Sequence, residues 1–249
     1  MNNSSIDDLY FYADTLNEIQ RFHDAFKVML TIIERQPKLT QQQQILFASV
    51  CKSIIDPNRK SLEVLRECTA AEDDSAYTER LKGAIETVTN ELISFSEEII
   101  GIISGELLEN ASDNDDIVFY LKLKGDFARY IIENTGGEIR EKYMKIAEES
   151  YSKSIDISTS LDILNSSRLG AVLNYSVFMY EHKKDFDGAI NIMKTTLDDI
   201  KKELEKIDDK DNHEIPYDII NVMERNLSIW IQDTIEEEEE EEETKENKI

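Results

Sequence analysis

The sequence predicts an all-α protein of about nine helices, and three observations carry that expectation. Only 8 glycines and 3 prolines interrupt the 249 residues, too few for a sheet with frequent tight turns. Glu, Lys, Leu, Ile, Asp and Ser dominate the composition, a mixture that favours long helices. Apolar residues also recur at helical spacing almost throughout, and the breaks fall at polar, Gly or Pro points. A chain of this length supports one large domain or a layered array of helices.

Helices are expected over 5–18 and 22–35, and "RQPKLT" ends the second because Pro37 cannot continue it. Thr40 then caps a third helix to residue 70, within which Pro57 predicts a kink or break. After "AAEDDSAY" comes a fourth, 75–108, with the amphipathic run "AIETVTNELISFSEEIIGII". The acidic turn "NASDNDD" precedes a fifth, 115–134, and "TGGE" supplies glycines for a left-handed turn into a sixth, 138–158. Ser166 or Ser167 is expected to cap the seventh, 168–183. "KKDFD" leads to the eighth, 187–205, and "KIDDKDNHEIP" separates this from the ninth, 217–232. Residues 1–233 therefore make a helical domain, and 234–249 a charged, low-complexity tail expected to be disordered. Links this short imply antiparallel neighbours. No fixed-period repeat covers the chain, but 168–205 looks locally like a tetratricopeptide unit, so a helical-repeat scaffold stays open.

Lys and Arg total 28 against 53 Asp and Glu, a formal net charge of −25. Glu236 to Glu243 contribute eight of the acids, and the rest of the chain is still at −17, since −25 + 8 = −17. Such a surface repels phosphate polymers and anionic lipid, so neither nucleic acid nor membrane is an expected partner. Cys51 and Cys68 lack metal or redox spacing, no stretch is apolar enough to span a bilayer, and the opening residues do not read as a secretory signal. A cytosolic protein is expected, with nuclear access left open. His23, His182 and His213 are isolated, and no Gly-rich phosphate loop or metal-spaced cluster stands out, which argues against an enzyme, a cofactor or a metal.

Against that acidic background, "LKLKGDFARYIIE" at 121–133 gathers Lys122, Lys124 and Arg129. Phe119, Leu123, Phe127, Tyr130 and Ile131 form its apolar stripe, while Lys122, Asp126, Arg129 and Glu133 share the neighbouring face. Alone, this helix reads as a solvated ladder of ion pairs, each worth about 0.2–0.5 kcal/mol. In the ninth helix Asn226 interrupts a stripe of Ile219, Val222, Met223, Ile229 and Trp230. The seventh places Leu173, Asn174, Val177 and Glu181 on one face, with Leu169, Val172, Ser176 and Tyr180 on the adjoining side. A buried amide without a partner costs about 1–3 kcal/mol, so each Asn must bond to the protein or to something bound. An extended peptide suits it, because an amide donates to a peptide carbonyl and accepts from its N–H; a bond between helices serves equally well. Lys52 and Arg59, seven apart, share a face of the third helix.

Together these segments resemble the 14-3-3 phosphopeptide-binding proteins. The resemblance is carried by "FYLKLKGDFARYIIE" at 119–133, "SRLGAVLNYSVFMYE" at 167–181 and "ERNLSIWIQDT" at 224–234, with support from "LTQQQQILFASVCKSIIDPNRKS" at 39–61. It implies nine antiparallel helices in an L-shaped bundle with a concave amphipathic groove. It implies that Lys52, Arg59, Arg129 and Tyr130 bind a phosphate. Lys122, Leu173, Asn174, Val177, Glu181, Val222, Asn226 and Trp230 would contact the peptide, with Ile229 beside the same apolar wall. The implied function is a phosphoserine- or phosphothreonine-peptide-binding adaptor, without enzymatic activity, that regulates client proteins in signalling by clamping or masking phosphorylated motifs. The chemistry is coherent. A phosphoryl group carries about −1.5 to −2 charges and three acceptor oxygens, which two guanidinium forks, an ammonium and a phenol can satisfy.

Several positions depart from the family pattern. Asn58, Lys60 and Glu63 stand where further arginines or a similar basic rim are usual, Pro57 lies between the two pocket cations, and Val222 replaces a Leu. The resemblance implies a homodimer or heterodimer in which Arg21 and Glu91 keep one ion pair. Thr15, Ile19, Ala84 and Thr87 differ from the usual interface residues, Thr87 standing where a Lys answers the acid matched by Asp24, so a monomer is the alternative. The glutamate tail either stays in water or binds the chain's own cationic pocket at high effective concentration. An acidic chaperone that takes basic proteins without phosphate dependence is the alternative function, beside the helical-repeat scaffold.

Overall fold

The computed structural model describes residues 4–71, 74–207 and 215–246, with side chains to residue 236. Among these the regular elements are all helical, and where consecutive helical segments join they form nine rods. The chain divides into two compact units, Met1–Ser150 and Tyr151–Ile249.

In the first unit α1 (Ile6–Glu18) opens with a capping box, in which Ser5 Oγ accepts from the Asp8 N–H at 3.0 Å and Asp8 Oδ2 from the Ser5 N–H at 3.0 Å. The amphipathic α2 (Phe22–Arg35) follows. α3 (Gln41–Ala71) begins with Thr40 Oγ1 accepting from the Gln43 N–H at 3.3 Å and Gln43 Oε1 accepting from the Thr40 N–H at 2.9 Å. It runs through Pro57 without the expected break. Proline withholds one N–H from the helical ladder, but α3 packs along its neighbours, and that packing carries the helix across the defect.

α4 starts at Ser75, capped by Asp74, and passes from Ser75–Ile102 through a π-helical turn, Ile103–Leu107, into Leu108–Asn110. Ile103 and Leu107 are both fully buried on that turn. α5 (Asn114–Asn134) is capped by Asp113. Rings from α2 to α5 join these helices: Phe26 lies 6.4 Å from Phe47 and 5.3 Å from Phe95, which in turn lies 6.4 Å from Phe127. Gly137, at φ +56, supplies the left-handed residue on which α6 (Gly137–Ser158) opens.

In the second unit α7 (Ser166–Phe178) continues through a π-helical turn, Met179–Lys183, and Lys184 ends it at φ +58. Its cap is Asn165, not Ser166 or Ser167. Asn165 Oδ1 accepts from the Arg168 N–H at 2.9 Å, and Asn caps at least as well as Ser. α8 (Phe186–Leu204) is capped by Asp185, whose carboxylate lies so close to Gly188 that a Cβ there would come within 2.5 Å of it. α9 spans Tyr217–Glu246, well past the expected end near 232 and into the segment expected to be disordered. Packing at Met223 and Trp230 anchors the part of this helix that belongs to the core. Leu169, Met193, Leu197, Met223 and Trp230 build this unit's core. No helix of the described residues is long and apolar enough to cross a membrane.

Candidate functional site

The first unit assembles the cations of α3 and α5. Helical spacing puts Lys52, Asp56 and Arg59 on one face of α3, and Lys122, Asp126, Arg129 and Glu133 on one face of α5. Arg59 bridges the two helices: its Nη2 donates to Glu133 Oε2 at 2.9 Å and its Nε to the same oxygen at 3.2 Å. Arg59 Nη1 also reaches Asp56 Oδ1 at 3.3 Å. The other Glu133 oxygen, Oε1, accepts from Arg129 Nη1. Tyr130 lies under both guanidinium groups, its ring centroid 4.2 Å from the central carbon of Arg59 and 5.1 Å from that of Arg129.

The ion-pair ladder read from the sequence of α5 is present, but it is not solvated. Lys122 Nζ pairs with Asp126 at 3.0 Å, and the carboxylate of Asp126 is fully buried. The side chains of Arg129 and Glu133 are only 13% and 20% exposed. At such burial a carboxylate is retained only where a cation answers it. Asp126 answers Lys122, and Glu133 answers two arginines.

Electrostatics ties Lys52 to the same cluster. The charge of Lys122, then burial, push the Lys52 ammonium pKa below its ordinary value; Arg129 adds to this, while Asp126 and Asp56 oppose it. Burial and the charge of Asp126 push the Tyr130 phenol well above its usual range, against the pull of Arg129 and Arg59, so it stays protonated and able to donate. Four cations, Lys52, Arg59, Lys122 and Arg129, thus stand among three carboxylates, Asp56, Asp126 and Glu133. Counted on α3 and α5 alone, this leaves one positive charge in excess. A cleft of about 430 Å³ adjoins the cluster, lined by Asp56, Arg59, Lys60, Glu63, Arg66, Glu133 and Asn134. The departures at Lys60 and Glu63 therefore line a cleft of mixed charge instead of a basic rim.

In the second unit the division of α7 into two faces holds. Leu169, Val172 and Ser176 are buried, whereas Leu173, Asn174 and Val177 are half-buried and Glu181, within the π-helical turn, is exposed. On α9, Val222 and Asn226 are half-buried and Ile229 is exposed. Ile229 thus keeps the face of Val222 and Asn226 but is exposed, while Trp230 enters the core. Trp230 stacks on Tyr180 at 4.5 Å with the rings 9° from parallel, and the Tyr180 hydroxyl donates to Asp233 at 3.2 Å. Trp230 thus supports the α7 surface from within.

The sequence reading left Asp56 and Glu133 without a site role. Their signal was local: an acid three residues before Arg59 and another four after Arg129, each one helical turn from a cation. At the expected dimer surface, Arg21 is bonded within the chain to Asp24, which also lies 3.6 Å from Lys27. Glu91 lines a groove of about 650 Å³ between α2 and α4, beside Phe26, Leu30 and Phe95.

A model of the 14-3-3 protein family matches residues 12–231. The chain is also 27% identical over 238 residues to 14-3-3 protein 3 of Entamoeba histolytica, an alignment covering 94% of this chain and 99% of that protein. Nearly the whole helical array is matched, from within α1 to within α9, and the chain belongs to the 14-3-3 family.

Proposed function

We propose that this protein is a non-enzymatic adaptor that binds phosphoserine or phosphothreonine peptides and thereby regulates phosphorylated client proteins. The observation that carries the reading is the pair of guanidinium groups, Arg59 and Arg129, bridged by one carboxylate over a protonated Tyr130, with Lys52 in the same field. A phosphoryl dianion matches that donor set in charge and in number of acceptors. Asn174 and Asn226 take the peptide backbone in this reading, with Leu173, Val177 and Val222 as apolar contacts and Lys122 and Glu181 as charged ones. Trp230 supports that surface from the core. Pairing of two chains, as homodimer or heterodimer, and a cytosolic place belong to the same reading.

Fluorescence anisotropy with a matched pair of Arg-x-x-Ser-x-Pro peptides, one phosphorylated on the serine, tests the proposal. The phosphorylated peptide should bind at least about 100-fold more tightly, as expected when two or more charge-assisted hydrogen bonds are lost with the phosphate. Equal binding rejects it. Preference for a basic, unphosphorylated protein would support the acidic-chaperone alternative instead.

A further inference from the structure

We infer that Glu133 is the positioning residue of the cationic cluster, a resident carboxylate that holds Arg59 and Arg129 side by side so that both can meet one phosphoryl group. The inference rests on the phosphate-binding reading above and gives the bridging carboxylate of that reading a role in ligand binding.

The geometry separates the two oxygens by task. Oε2 accepts from Arg59 Nε at 3.2 Å and Nη2 at 2.9 Å, and Oε1 accepts from Arg129 Nη1. The bridge joins helices whose bonded residues are 74 positions apart in the chain. Two guanidinium groups over one ring repel each other, and without a counter-charge between them their long side chains would separate and sample many rotamers. Glu133 removes the repulsion. It lies one turn beyond Arg129 on the same helix, so its own position is set by α5.

The clamp leaves donors for a ligand. A guanidinium carries five N–H groups, two on each Nη. The carboxylates of Glu133 and Asp56 take bonds from Nε, Nη1 and Nη2 of Arg59, which leaves a second hydrogen on each Nη. Arg59 is therefore fixed in orientation without being exhausted as a donor.

The opposite role would be an occluding anion that phosphate must displace, and the two roles differ in the sign of one substitution. The full-length chain and its Glu133→Gln and Glu133→Ala variants are titrated with a fluorescein-labelled peptide carrying one phosphoserine, and with its unphosphorylated twin. In parallel, the Arg59 Nε–H signal of each ¹⁵N-labelled protein is followed by NMR without peptide.

Positioning predicts that Glu133→Gln weakens phosphopeptide binding about ten-fold, the loss of roughly one charge-assisted hydrogen bond, and that Glu133→Ala weakens it further. This loss would occur although both substitutions remove negative charge near the phosphate. It also predicts an Arg59 Nε–H protected from exchange in the parent protein and unprotected in Glu133→Ala. Unchanged or tighter binding by the variants overturns the proposal, as does an Arg59 signal indifferent to Glu133→Ala. If the parent protein shows no preference for the phosphorylated peptide, the phosphate-binding reading fails. The NMR arm then still decides whether Glu133 orders Arg59.

Discussion

In the first unit the candidate ligand groups are charges held by other charges. Arg59 and Arg129 share Glu133, and Lys122 rests on a fully buried Asp126. In the second unit Asn174 and Asn226 are neutral amides, half-buried on helices whose other faces are apolar core. The difference teaches where each region is sensitive. A desolvated ion network depends on every member, because removing one leaves another charge buried and unanswered. An amide on an apolar face contributes a modest, local increment.

The sharpest way to break the comparison is to remove both arginines. Arg59→Ala with Arg129→Ala should abolish measurable phosphopeptide binding, at least about a 100-fold loss for two charge-assisted contacts. Circular dichroism should report unchanged helix content.

Asp126→Ala should act on stability instead. It strands Lys122 beside Lys52 and Arg129, and about 3 kcal/mol of unfolding free energy should be lost in urea titrations. The same assay on Lys82→Ala, whose partner Glu79 is 4.0 Å away with both side chains exposed, should show no measurable change.

Asn226→Ala in the second unit should weaken phosphopeptide binding by roughly ten-fold or less, the size of a single hydrogen bond. A loss as large as that of the double arginine variant would mean that the two units do not differ in the way described.

The smallest effect is in pH. The folded-state pKa of Lys52 is lowered, chiefly by Lys122 and then by burial, so its ammonium disfavours the folded state while it is charged. That penalty disappears as pH rises through the lowered pKa towards the ordinary lysine value of about 10.4. Binding runs the other way, since a phosphate requires the ammonium. Affinity should therefore fall with rising pH below the ordinary lysine range, and Lys52→Arg, which stays charged, should flatten that decline.

Most of the helical rods were legible in the sequence because periodicity and caps act within a few residues. α2 begins and ends where its pattern predicts, and Thr40 caps α3 through Gln43. Legibility failed where one local signal competed with another. Asn165 and the two serines after it are all good caps, and nothing in the local sequence chooses between them.

The sequence by itself determined the nine helical segments, the net acidity, and the sets of residues that share a face, such as Lys52 with Arg59 and Leu173 with Asn174 and Val177. Those follow from helical geometry and composition, which need no knowledge of neighbours. Only the tertiary structure decided that Arg59 is answered by Glu133, that Asp126 is buried, that Pro57 does not break α3, and that Trp230 turns into the core while Ile229 stays outside. Each of these depends on what lies across from the residue, and residues distant in the chain supply that environment.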